Sequence, residues 1–306
     1  MTASWDCTAR IWNAETGLPV TPPLAHAYPV FHAVFSSDGT RVITGSREML
    51  APAVYGAGEA HIWRVTDGQL LAALPEQTTA VTDVRFSRDG TRVLTARGNQ
   101  TTVAHTARLW DARTGQPLGQ ALPHPNGVNC VLFSPDERWV VTGCVDGLVR
   151  VWDAATGRHV WSAARHPQRG IGTLSFSPDG RLLVTSSADG TARLWDWATA
   201  EPVSPPLWHG DSVYHLMFSP SGHNLLIQGG SHARLWEVAP DLRSIEELIR
   251  ICELSAGVHL DETGARQPLS PEELLAALRQ LQVKYPEEFG FKPPPLERLN
   301  GSPGPD

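Results

Sequence analysis

One phrase, IGTLSFSPDGRLLVTSSADGTARLWD from Ile171 to Asp196, returns along most of this chain. It holds three short β-rich runs, the first ending in Phe-Ser, the second RLLVTS and the third TARLW. Pro178-Asp179-Gly180 and Ala188-Asp189-Gly190 separate them, and each is a turn for a physical reason: Pro fixes φ, Asp caps its own turn and Gly accepts positive φ. The copies align on the last aromatic of the third run, at Trp12, Trp63, Trp110, Trp152, Trp195 and Trp236, with spacings of 51, 47, 42, 43 and 41 residues. That period excludes the shorter helical and leucine-rich repeats. The stretch between each Trp and the next copy, such as Leu118 to Pro123 or Val203 to Leu207, is long enough for a fourth strand.

Over residues 1–238 the chain resembles the WD-repeat β-propeller family. The resemblance implies an all-β fold of about six recognisable four-stranded blades around a central channel, both terminal blades being incomplete, followed by a small helical segment. Met1 to Ser4 match the end of a second strand and Cys7 to Asn13 a third, so blade one lacks a first strand. Blade six lacks an outer one after Glu237.

The resemblance also implies a hydrogen-bonded relay in each blade. A His before the blade, a Ser or Thr on the second strand, a turn Asp and the third-strand Trp satisfy one another's buried polar groups. His124, Thr142, Asp146 and Trp152 match it in blade four; His166, Thr185, Asp189 and Trp195 match it in blade five. Blade one keeps Thr2, Asp6 and Trp12. Blades two and three depart at one place: Arg47 to Glu59 and Ala96 to His105 replace the tight turn, and both blades are expected to have given up the turn Asp.

The same positions recur from blade to blade, as structural devices do and single catalytic triads do not. No catalytic, cofactor-binding or metal site is expected. The 12 His include no H-x-x-x-H or H-E-x-x-H pair, no phosphate-binding glycine loop or nucleophile elbow occurs, and the first-strand starts Val30, Val81, Val128, Ile171 and Val213 are apolar. The net charge of −7 argues against nucleic acid; 12 acids and 7 bases fall in residues 241–306, leaving 20 against 18 for the repeats. Four scattered Cys read as free thiols. Neither a signal peptide nor an 18-residue apolar run is present, so a cytoplasmic protein that does not enter a membrane is expected.

The chain divides by pattern into residues 1–240 (the repeats), 241–285 (a helical extension) and 286–306 (a Pro- and Gly-rich tail expected to be disordered). Ser244 caps a first helix with the stripe Ile245, Leu248, Ile249 and Cys252. Ser270-Pro271-Glu272-Glu273 is a capping box for a second helix, striped by Leu274, Leu275, Leu278 and Leu281. The link VHLDETGARQPL joins them. This tail is similar to the one that follows WD repeats in certain large bacterial proteins, many carrying a serine/threonine kinase domain, although no V-A-I-K, H-R-D or D-F-G is found here.

The function expected is a non-catalytic protein-protein interaction scaffold. The alternative is the C-terminal regulatory portion of a bacterial serine/threonine kinase separated from its kinase domain. Met49, Leu50, Val54 and Tyr55 in the blade-two insertion, extended by Tyr28, form the expected partner surface, since apolar groups do not persist in a purely solvated loop. Unpaired edges at the incomplete terminal blades predict self-association.

Overall fold

A computed structural model describes residues 1–51, 54–75, 79–98, 105–163, 166, 169–238, 258–260 and 266–284. The chain forms two compact units, Met1–Ala239 and Pro240–Asp306. The first contains six antiparallel sheets in chain order, each a meander.

Sheet one has β1 (Thr2–Ala3), β2 (Thr8–Arg10) and β3 (Leu24–Ala25). Sheet two has β4 (Val30–Phe35), β5 (Arg41–Ala51), β6 (Val54–Arg64) and β7 (Leu70–Ala73). Sheet three has β8 (Val81–Phe86), β9 (Arg92–Arg97), β10 (His105–Asp111) and β11 (Pro117–His124). Sheet four has β12 (Val128–Phe133), β13 (Trp139–Cys144), β14 (Val149–Asp153) and β15 (His159–Ala163). Sheet five has β16 (Ile171–Phe176), β17 (Leu182–Ser187), β18 (Thr191–Asp196) and β19 (Leu207–Trp208), and sheet six β20 (Val213–Phe218), β21 (Asn224–Gly229) and β22 (His232–Glu237). These are propeller blades, four-stranded in the middle and, among the described residues, three-stranded at both ends, as the repeat pattern predicts.

The turn chemistry is as read. Asp179 accepts from the Ser177 hydroxyl at 2.6 Å and the Arg181 amide at 3.1 Å, and Gly180 has φ +72°. In the second turn of blade four, Gly147 has φ +80°, and a Cβ there would clash with the His166 carbonyl oxygen. Glycine is required twice over at that position.

Five junctions between blades make the core, and each repeats one design. The facing pair on the second and third strands, Ile43 with Ile62, Leu94 with Leu109, Val141 with Val151 or Val184 with Leu194, is buried by the blade that follows. That next blade contributes its first strand and its Trp: Val81, Val84 and Trp110 cover Ile43 and Ile62, and Val128, Val131 and Trp152 cover Leu94 and Leu109. Blade six carries the same pair, Leu226 opposite Leu235, but here the residues are 41% and 68% exposed.

Two expectations need correction. The blade-two insertion is not a loop: β5 and β6 pair on through it, with Arg47 opposite Gly58 and Met49 opposite Tyr55, making a hairpin that runs past the rest of the sheet. The link between the tail elements contains a second hairpin, β23 (Val258–Leu260) with β24 (Arg266–Pro268). The helix α1 (Pro271–Lys284) follows, and its capping box forms as read: the Ser270 amide donates to the Glu273 carboxylate at 2.8 Å and the Glu273 amide to the Ser270 hydroxyl at 3.3 Å. The helix expected after Ser244, the tail beyond 285 and residues 99–104 of the blade-three insertion lie outside the described residues. No described helix is long and apolar enough to cross a membrane.

Candidate functional site

In blade five the relay closes. Trp195 Nε1 donates to Thr185 Oγ1 at 3.1 Å, Thr185 meets His166 Nε2 at 2.8 Å, and His166 Nδ1 lies 3.0 Å from Asp189 Oδ2. Thr191 steadies the acid, its hydroxyl 2.7 Å from Asp189 Oδ1. Burial pushes the His166 pKa down, against the opposing pull of Asp189, so the ring is neutral and bridges a hydroxyl and a carboxylate.

Blade four keeps only part of that chain. Trp152 donates to Thr142 at 3.1 Å and Thr142 meets His124 Nε2 at 2.8 Å, but His124 Nδ1 turns to the Leu122 carbonyl at 2.9 Å. Asp146 is drawn away by Arg150, which holds its two oxygens at 3.2 and 2.6 Å. The cause is one residue: Leu148 stands where blade five has Thr191, and without that hydroxyl the carboxylate goes to the guanidinium. Elsewhere the Trp–Thr bond persists as Trp12 to Thr2 and Trp110 to Thr95, both at 2.9 Å. It fails in blade six, where Ile227 takes the Thr position and the buried Trp236 Nε1 makes no hydrogen bond.

Blade two has not given up its acid. Trp63 donates to Thr44 at 2.7 Å, Thr44 meets His26 Nε2 at 2.7 Å, and His26 Nδ1 lies 3.3 Å from Glu59 Oε2. Glu59 occupies the Thr191 position, and its longer side chain serves as both the hydroxyl and the carboxylate of blade five. His61 stacks on His26 with ring centroids 4.5 Å apart. Burial, with His61 adding to it, lowers the His26 pKa to about 4 in spite of Glu59.

The hairpin displays a different chemistry. Arg47 is sandwiched between two rings, its guanidinium carbon 3.9 Å from the Phe31 centroid and 4.2 Å from that of Tyr55. Trp5, 67% exposed in the first turn of blade one, meets Phe31 edge-on at 5.6 Å. Met49 and Tyr55 are half-buried and Leu50 is 62% exposed. The side chain of Val54 lies outside the described residues. Tyr28 is half-buried before β4, and it is Phe31 whose ring contacts join this strand to the hairpin. Sequence reasoning missed Trp5, Phe31 and Arg47; each sits at a position that varies between copies, which is the signal that would have found them.

The first strands are apolar at their starts, as read, but two residues further on blade three carries an acid. Asp83 is buried between Arg85 Nε at 3.4 Å and His32 Nδ1 at 3.6 Å. Its oxygens accept the amides of Val84 at 2.9 Å and Val131 at 3.1 Å, so it ties blade three to blade four.

Three stretches, residues 68–111, 115–153 and 157–196, match the family described as WD domain, G-beta repeat. Autophagy-related protein 16 of Arabidopsis thaliana is 28% identical over 54% of this chain and 28% of its own length. WD repeat and SOCS box-containing protein 1 of Xenopus tropicalis is 27% identical over 43% of this chain and 29% of its own. The chain thus spans less than a third of these relatives. The crystal structure of the computationally designed Ika8 protein shares the fold, with a TM-score of 0.62 and 22% identity over 77% of this chain and 67% of that one. Three consecutive stretches that match the WD repeat, each lying on blade architecture, are what this chain shares with that family.

Proposed function

We propose that the chain is a protein-interaction scaffold whose partner docks on the aromatic-arginine surface of blades one and two. The observation that carries this reading is the departure from the repeat: blade two extends its central hairpin past the sheet, with Met49 opposite Tyr55 and exposed Leu50 beside them in sequence, and Arg47 joins Tyr55 to Phe31, which in turn meets Trp5. Trp, Tyr and Arg are the residue types enriched among those that dominate interface energy, and Trp5 is 67% exposed here with Arg47 and Tyr55 half-buried. WD-repeat relatives support the scaffold reading, and the position of the partner surface is the proposal.

Trp5→Ala combined with Leu50→Ser and Tyr55→Ser tests it. Pull-down from lysate of the source cell, read by mass spectrometry, should lose its specific partner with the triple variant, by at least about 2 kcal/mol of binding, while the melting temperature stays within a few degrees. Unchanged capture places the partner elsewhere.

A second contact is proposed on blade six. Leu226 and Leu235 stand where five other junctions seat the back of another blade, and Met217 and Tyr214 beside them are also exposed. The surface that fits is the partly exposed Trp12 side of blade one, which has no blade behind it, supplied by a second copy of this chain. Sedimentation should show concentration-dependent association that Leu226→Asp with Leu235→Asp abolishes without loss of fold; a wild-type chain that stays monomeric at about 100 μM, where weak self-association becomes visible, removes the proposal.

The kinase alternative draws on the C-terminal sequence pattern. Sequencing the complete open reading frame at the native locus decides it, because a kinase portion would lie in frame upstream of Met1.

A further inference from the structure

The repeat supplies its own control for blade two. Opposite the relay Thr position on the neighbouring strand, blade one has Arg10, blade three Arg108, blade four Arg150, blade five Arg193 and blade six, where Ile227 replaces the Thr, Arg234. Blade two has His61. Two residues before it, the Thr191 position of blade five is Glu59, so both departures fall beside one relay His. A nitrogen from His26, a nitrogen from His61 and a carboxylate oxygen of Glu59 all lie within 4.8 Å of one another, and they are the set with metal-ligand composition among the described residues.

A second observation points to a ligand. His61 Nδ1 is buried and makes no hydrogen bond. A buried unsatisfied nitrogen costs about 1–3 kcal/mol; Arg193 at this position of blade five also buries its Nε without a partner, but that Nε is a donor only, whereas a neutral imidazole nitrogen offers a lone pair to a metal. We propose that His26, Glu59 and His61 bind a divalent transition-metal ion of the zinc class, with the remaining coordination position open to water or to a partner's side chain.

The donor set suits such an ion: two neutral imidazoles and one carboxylate are a recurrent zinc combination. Tetrahedral zinc spaces its ligand atoms about 3.3 Å apart. His26 Nδ1 and Glu59 Oε2 already stand at 3.3 Å, and a His61 nitrogen lies within 4.8 Å of both ligand atoms. The outer contacts are also in place. When His26 Nδ1 ligates, its proton moves to Nε2, which donates to Thr44 Oγ1; that hydroxyl donates to the His61 carbonyl at 3.2 Å and still accepts from Trp63. Orientation of a ligating imidazole through its second nitrogen is the usual support of such sites.

The test uses the full chain and zinc, by competition against a chromophoric chelator, with cobalt as the spectroscopic probe. One zinc per chain and a cobalt ligand-field band are expected. His61→Arg restores the residue of the other five blades and so keeps the fold; together with Glu59→Thr, the blade-five residue, it should weaken zinc binding at least about tenfold and remove the band. His232→Thr, which breaks the stacked His209–His232 pair of blade six, should leave both unchanged. Absence of zinc binding by the wild type, or binding that survives His61→Arg, or binding lost in His232→Thr, overturns the proposal.

Discussion

Trp110→Ala should lower the stability of the repeat unit by about 3–5 kcal/mol and Trp12→Ala by less than half as much. Both indoles donate to a threonine hydroxyl at 2.9 Å, Thr95 and Thr2 respectively, so the relay bond is the same. What differs is burial: Trp110 is wholly enclosed, packed against Ile43, Ala60 and Ile62 of the preceding blade, while Trp12 is 37% exposed. Removing Trp110 leaves a cavity at a junction, and cavity and transfer terms add. Removing Trp12 uncovers a surface already half wet. In a unit of this size the larger loss corresponds to a drop in Tm on the order of 10 °C. Equal losses would mean that the hydrogen bond, and not the seating of each Trp on the blade behind it, holds the array together.

That the six Trp positions mark blades was legible because the pattern is redundant. Any one Asp-Gly turn or apolar run is ambiguous, but six copies in register leave a single reading, and the strand ranges follow from it. The blade-two insertion was not legible, because its glycines look like breakers. Gly58 is there for contact: a Cβ would meet the Ser46 carbonyl at 2.5 Å and the Val81 amide nitrogen at 2.7 Å. It lets the hairpin pass close to blade three, and the strands continue through it. Such a reason lies in a neighbour distant in sequence.

The relay shows the same boundary between pattern and contact. Residue types at the expected spacing identified blade five in full. Blade four has every residue as well, yet Asp146 pairs with Arg150 because Leu148 offers no hydroxyl. Blade two lacks an Asp six residues before its Trp and still closes, through Glu59 four residues before Trp63. In each case a side chain outside the four-residue motif decides where a carboxylate goes. The aromatics Trp5 and Phe31 were hidden for a related reason: they come from different blades, and only the fold brings Trp5 against Phe31 and Phe31 against Arg47.

The neutral relay histidines make the fold acid-sensitive well above the range where carboxylates titrate. Burial, first, and Arg150 and His159 after it lower the His124 pKa from 6.5 to about 4, against the Leu122 carbonyl and Asp146, which raise it. His166 is lowered in the same direction. Between these values the unfolded chain takes up a proton that the folded one refuses, so stability rises with pH there. The contribution is intact above pH 6.5 and is lost progressively as pH falls to about 4, by about 3 kcal/mol for His124 alone. The lowered Asp146 and Asp189 act in a separate window, below the ordinary carboxylate value of 3.8. Urea midpoints at pH 7.5 and pH 4.5 should therefore differ strongly in the wild type. The difference should shrink in His124→Asn, which is less stable at pH 7.5 but has no proton to gain. A midpoint that does not move over this interval, or a His124→Asn variant that loses stability as steeply as the wild type, would place the charge of His124 on the folded chain and contradict the neutral bridge between Thr142 and Leu122.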